Sequence, residues 1–204
     1  MKIICISGHC CSGKTTAVGT IAKHLANTGI IRGDDYLIPA LINHAKEFER
    51  FGFCLDKENI GNCLLQAEND SQTTKEIYQE FWCIIASCIE NEIEQEVAKF
   101  KKQSKNYVVV EYVMLPILKI WKHADYRVII TTDKEKRFMQ SCIRFTKGTG
   151  LPAERMFKSH NLKEVVFGSI VENAVNVDFS ITNNYDSQFD KELANFCKHI
   201  AEEQ

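Results

Sequence analysis

Near the amino terminus stands Gly8-His9-Cys10-Cys11-Ser12-Gly13-Lys14-Thr15-Thr16: two glycines separated by four residues, then a lysine and two threonines. A chain that curls between two such glycines can turn consecutive backbone N–H groups toward a phosphate, and a helix starting directly afterwards adds the positive end of its dipole. A lysine at that helix start reaches the β- and γ-phosphates of a nucleotide, and the hydroxyl that follows can ligate Mg²⁺. The stretch therefore predicts a phosphate-binding loop. In it Gly8, His9, Cys10, Cys11, Ser12, Gly13, Lys14, Thr15 and Thr16 hold ATP, with Thr15 on the metal side.

Three further groups have the types and positions for chemistry around a phosphate. Gly33-Asp34-Asp35-Tyr36 follows a short apolar run; a carboxylate there either takes a proton from an acceptor hydroxyl or belongs to a solvated turn. Glu111 ends the run Tyr107-Val108-Val109-Val110-Glu111, where an acid either holds Mg²⁺, directly or through water, or pairs with a nearby base. Arg137, Arg144 and Lys147 precede Gly148-Thr149-Gly150, and Arg155 and Lys158 follow Pro152. Cations on both arms of a helix–glycine loop–helix are either a solvated basic surface or the lid that closes over transferring phosphate. Cys10 and Cys11 would sit at a helix N-terminus, which lowers a thiol pKa, or they are inert loop residues.

These groups need elements to hold them. Lys2 to Ser7 reads as a buried strand, and Val18, Ile21, Ala22 and Leu25 at helical spacing predict a helix stopped by Gly29. Strands are also predicted at Ile30 to Arg32, Tyr107 to Glu111, Tyr126 to Thr131 and Val177 to Thr182, with a closing helix from Ser187 to Ile200. Thr73-Thr74-Lys75-Glu76 has the form of a capping box ahead of one long amphipathic helix, as does Thr132-Asp133-Lys134-Glu135 ahead of the basic helix. Five strands alternating with helices predict an α/β fold of the P-loop NTPase type: a five-stranded parallel sheet covered by helices on both faces. The whole of 1–204 is read as one domain, with 1–36 and 107–204 as core, a helical lid at about 137–172, and 37–106 as an inserted helical substrate-binding region.

Composition narrows the partners. With a net charge of −2 the chain has no bulk attraction for nucleic acid or an anionic membrane, so small molecules are the expected partners. Its most apolar stretch, Tyr107 to Trp121, is broken by Glu111, Pro116 and Lys119 and is too short to span a bilayer. The amino terminus runs directly into the first strand without a secretory pattern, and nine cysteines without a C-x-x-C pair read as reduced thiols, so a cytoplasmic location is expected.

The order of features resembles the dephospho-coenzyme A kinase family along nearly all of the chain. The family's acidic motif after strand two is similar to Gly33-Asp34-Asp35-Tyr36-Leu37-Ile38, its Leu-Asp-Arg to Leu55-Asp56-Lys57, and its terminal motif to Val177-Asp178-Phe179-Ser180-Ile181-Thr182-Asn183. The resemblance implies ATP and Mg²⁺ as cofactors and transfer of the γ-phosphoryl to the 3′-hydroxyl of dephospho-coenzyme A. It makes Asp35 the acceptor-side base with Asp34 second, assigns Arg144 with Arg137 or Arg155 to the lid, and counts Asn183 with the nucleotide-binding residues. His9-Cys10-Cys11 stand in place of the family's Gly-Ile-Gly, a glutamate after the third strand is missing, and Arg137 and Gln140 are exchanged in the lid pattern. Asp34-Asp35-Tyr36 also resembles the nucleoside-type kinases, and the altered lid pattern with the missing glutamate would suit a weakly catalytic nucleotide-binding regulator.

Overall fold

The computed structural model describes residues 1–49, 51, 63–64, 68, 73–149 and 153–203. Five strands form one sheet: β1 (Lys2–Gly8), β2 (Thr28–Arg32), β3 (Tyr107–Glu111), β4 (Tyr126–Thr131) and β5 (Phe179–Thr182). Their order is β2-β3-β1-β4-β5 and every neighbouring pair is parallel. Parallel strands need crossover connections, and the helices that make them cover both faces. The α/β architecture predicted from strand–helix alternation is the one observed.

Side-chain alternation assigns each face. On one, Ile4 and Ile6 of β1, Val109 of β3, and Val128 and Ile130 of β4 pack with α1 (Lys14–His24) and the closing helix α8 (Ser187–Glu202). On the other, Cys5, Val108, Val110 and Ile129 pack with α2 (Leu37–Asn43), α3 (Ala45–Glu49), the long α4 (Lys75–Lys102), the short α5 (Lys119–His123), and α7 (Ala153–Glu172). Between α5 and α7 comes α6 (Lys134–Thr149), which follows β4 and stands over the carboxyl edge.

The segment read as an inserted region contributes α4, whose Tyr78, Phe81, Trp82, Ile85, Ala86, Ile89 and Ile93 are buried on the sheet face. Residues Leu55-Asp56-Lys57, Gly150 and Pro152 lie outside the described residues. Among the described residues no helix is long and apolar enough to cross a membrane, and the described cysteines are free thiols.

Local signals fell one residue or one element from their expected places in three instances. The cap of α4 is Thr74, which accepts from Ile77 N–H at 3.3 Å, so Glu76 is not in the capping-box position. The cap of α6 is Asp133, whose Oδ1 accepts from Glu135 and Lys136 N–H at 2.9 and 3.1 Å. Gly29 does not stop α1, which ends at His24; it lies within β2, where an added Cβ would come 2.8 Å from the Phe100 ring of α4. That glycine is required by close helix-to-strand approach rather than by a turn.

Candidate functional site

Because β1 lies between β3 and β4, the loop after it opens at the middle of the sheet's carboxyl edge, the usual position for a ligand crevice in such sheets. Gly8 crosses beside β4: a Cβ there would stand 2.4 Å from Ile130 O. The loop then turns tightly, with Ser12 N–H donating to His9 O at 3.2 Å and Cys11 in the left-handed region at φ 59°. Gly13, at φ 99°, enters α1, and a Cβ on it would sit 2.2 Å from Asn183 Nδ2. No side chain caps α1, so its first-turn N–H groups remain directed at the loop's concavity, where an anion would satisfy them.

The loop is strapped from behind. Ser12 O accepts from Thr132 Oγ1 at 3.0 Å and from Asn183 Nδ2 at 2.8 Å, while Asn183 Oδ1 accepts from Tyr185 N–H at 2.8 Å. Tyr185 OH donates to Cys11 O. Asn183 is thus buried beneath the loop and is not among the residues lining the cleft. Thr132, expected to cap the basic helix, serves the loop instead.

Lys14 is buried, and its Nζ donates to His9 O at 3.0 Å, which holds the ammonium over the loop. Thr15 Oγ1 donates to Glu111 Oε2 at 3.3 Å. The pairing follows from register: Glu111 lies opposite Ile6 of β1 and Arg32 of β2. Burial pushes the Glu111 carboxyl above its ordinary value against the pull of Lys14, and the Asp34 charge adds to the rise. A hydroxyl and a carboxylate oxygen are ligands of the kind Mg²⁺ takes, since it keeps several waters and substrate phosphates in its shell and needs few protein groups. Among the described residues no group of three or more His, Cys, Asp and Glu side chains forms an all-protein metal cage.

A cleft of about 460 Å³ joins these groups. Its floor is Cys10, Cys11 and Gly13 to Thr16 of the loop, with Asp34 and Glu111 beside it; Gln140, Ser141 and Arg144 of α6, His160 and Lys163 of α7, and Tyr185 form the other walls. Asp34 and Asp35 separate here. They occupy the 3₁₀ turn Gly33–Tyr36, and both are exposed, but only Asp34 lines the cleft. Asp35 lies toward Tyr36, whose hydroxyl it helps to raise after the larger effects of burial and Glu96.

The expected lid cations also separate. Arg144 lines the cleft. Arg137 does not: it is buried, donating from Nε to Glu164 Oε1 at 3.2 Å, from Nη2 to Glu164 Oε2, and from Nη1 to Thr132 O. Burial alone would raise the Glu164 pKa, but the neighbouring His9 and the Arg137 guanidinium outweigh it and hold the carboxyl at about 2. The Arg155 and Lys147 side chains lie outside the described residues. Ser141, His160, Lys163 and Tyr185 are cleft residues that were not singled out from sequence. For the helical ones the signal was periodicity: 137, 140, 141 and 144 share one helical face, and 160 and 163 share another. Lys163 Nζ is oriented by Glu68 Oε2 at 3.0 Å and by Ser159 Oγ at 3.2 Å.

The unusual loop residues also find their places. His9 is buried against α7, where a Cβ on Gly168 would meet its Cε1 at 3.2 Å, and its Nδ1 stands 3.6 Å from Glu164 Oε2. Cys10 packs on the core, and burial pushes its thiol up to about 11 against the pull of Lys14 and Lys163. The helix N-terminus therefore does not make Cys10 a reactive thiolate; desolvation wins.

No family model matches the sequence, and no curated protein matches it. Solved structures do. The protein TT1252 from Thermus thermophilus superposes with a TM-score of 0.63 at 16% identity, over 99% of this chain and 97% of the other. Dephospho-CoA kinase from Campylobacter jejuni gives 0.50 at 19% identity, over 98% and 97%. Shikimate kinase from Acinetobacter baumannii, in complex with shikimate, gives 0.54 at 12% identity, over 100% and 95%. The chain thus has the fold of the P-loop kinases, as a divergent example with low identity to each of these neighbours.

Proposed function

We propose that the chain is an ATP-dependent phosphotransferase that phosphorylates a small-molecule hydroxyl, with the 3′-hydroxyl of dephospho-coenzyme A as its acceptor. The observation that carries the transferase reading is the convergence of Lys14, the Thr15–Glu111 pair, Asp34 and Arg144 on one cleft at the carboxyl edge of the sheet. The acceptor rests on the ordered resemblance along the chain and on the likeness to the Campylobacter jejuni dephospho-CoA kinase fold.

The loop amides and Lys14 bind the β- and γ-phosphates, and Lys14 leaves His9 O to do so. Thr15 and Glu111 would hold Mg²⁺, which supplies charge neutralisation at the phosphates when bound. Asp34, exposed in the cleft, accepts the proton of the acceptor hydroxyl; its placement there makes it the preferred base over Asp35. Arg144 neutralises charge on the transferring group from the α6 side. Residues 37–106 would contact the acceptor beyond its ribose. The protein would act on a small molecule in the cytoplasm.

Release of ADP, measured with dephospho-coenzyme A, nucleosides and shikimate as acceptors, tests the proposal. Turnover with dephospho-coenzyme A alone supports it. Turnover with a nucleoside or shikimate instead would overturn the acceptor and keep the transferase; ATP binding without turnover on any of them would favour a nucleotide-binding regulator.

A further inference from the structure

Four contacts already described join end to end. His9 of the phosphate loop faces Glu164 of α7 at 3.6 Å. Glu164 accepts with both carboxylate oxygens from the Nε–Nη2 edge of the Arg137 guanidinium of α6. Arg137 donates to Thr132 O at the end of β4, and Thr132 Oγ1 donates back to Ser12 O of the phosphate loop at 3.0 Å. The circuit closes on the loop where it began, and its ionic members are buried: Arg137 and Glu164 have side chains 7% and 8% exposed.

The circuit has a geometric consequence for the cleft. Arg137 lies on the same face of α6 as Gln140, Ser141 and Arg144, one and two turns further on. Fixing Arg137 fixes the rotation of α6 about its axis, and with it the aim of Arg144. Phe138 adds a second contact between α6 and α7, with ring centroids 5.6 Å from Phe157 and 5.1 Å from His160. Those rings set how close the helices lie. The forked guanidinium–carboxylate pair sets their angle, because two parallel hydrogen bonds tolerate little rotation.

We infer that Glu164 is a positioning residue that couples the phosphate loop to α6, so that nucleotide bound in the loop is felt by the helix that carries Arg144. It acts through His9 and Arg137 and touches no reacting atom. The same coupling accounts for a histidine at a loop position that a small residue would fill more easily: its ring carries Nδ1 to 3.6 Å from Glu164 Oε2. The inference rests on the reading of the loop as a nucleotide site.

Hydrogen exchange of the whole protein, with and without Mg²⁺ and a non-hydrolysable ATP analogue, tests both steps separately. In the wild-type protein the analogue should slow exchange in the loop and α1 and also in 134–149 of α6. In Glu164→Gln the loop and α1 should keep their protection, while that of α6 falls at least about threefold. A Glu164→Gln protein that protects α6 as fully as the wild type overturns the coupling, as does a wild-type protein that protects only the loop and α1. Wild-type protein that gains no protection anywhere removes the nucleotide site itself. If Glu164→Gln leaves Arg137 too poorly paired to fold, the double variant Arg137→Met/Glu164→Leu replaces the buried pair by apolar side chains of similar size. It should restore thermal stability without restoring nucleotide-linked protection of α6; restored protection would reduce the pair to a purely structural role.

Discussion

Asp34 and Asp35 are the same chemical group on adjacent residues, and a single 3₁₀ turn gives them different surroundings. With about three residues per turn, successive side chains leave such a helix roughly 120° apart. Asp34 consequently lies in the cleft with Lys14 and Glu111, and Asp35 beside Tyr36. Asp34→Asn should lower kcat by about 10²–10⁴ while an ATP analogue binds almost as before, because a general base acts only when the acceptor proton moves. Asp35→Asn should stay within about twofold of wild type in the same steady-state assay; the reverse pattern would return the role to Asp35. Lys14→Ala should cost about 10²–10³ in kcat by withdrawing positive charge from the transferring group. Near-normal kcat/KM in that variant would remove the lysine from the chemistry.

At the scale of elements, α6 is tied to the sheet through its first turn. Asp133 accepts from the Glu135 and Lys136 N–H groups and supplies the carboxylate that the dipole favours there. Asp133→Ala should therefore lower stability by about 1 kcal/mol, read as a shift of the urea midpoint without change in slope. That cap was legible as a motif but one residue out of place, since Thr132 and Asp133 can each cap a helix and only the Thr132–Ser12 contact decides between them. The strands were legible for a stronger reason: β3 and β4 are short β-branched runs buried on both faces, and their ends coincide with those expected. The phosphate loop was legible because its spacing carries its mechanism. What could not be seen was any role set by a partner distant in sequence. Arg137 reads as a lid cation until Glu164, 27 residues on and in another helix, is brought against it. His9 has no evident purpose until α7 passes behind the loop at Gly168. Gly29 reads as a helix stop until Phe100 of α4 crosses it.

The whole molecule sets its stability against its site at Glu111. Both faces of the sheet are sealed by apolar packing, so a charge at the carboxyl end of β3 is held where water is scarce. Burial raises the Glu111 pKa, and Thr15 and Lys14 only partly offset that rise. A carboxyl whose pKa is higher in the folded than in the unfolded state favours folding when both are protonated. That contribution disappears as pH rises through the folded-state value, so at neutral pH the ionised group works against the free protein. Glu111→Gln keeps the shape and the oxygen that accepts from Thr15 but removes the charge. The variant should melt at the same temperature as wild type near pH 4 and about 2–4 °C higher near pH 7 in the absence of ligand. Mg²⁺ with an ATP analogue should shrink or reverse the difference at pH 7, because the ionised carboxylate then has a cation to hold and the amide does not. Thermal melts of both proteins at the two pH values, with and without the analogue and metal, give all the terms. A wild-type protein more stable than Glu111→Gln at pH 7 without ligand would mean that Lys14 and Thr15 already compensate the buried charge, and that Glu111 is a structural acid rather than one held ready for a metal.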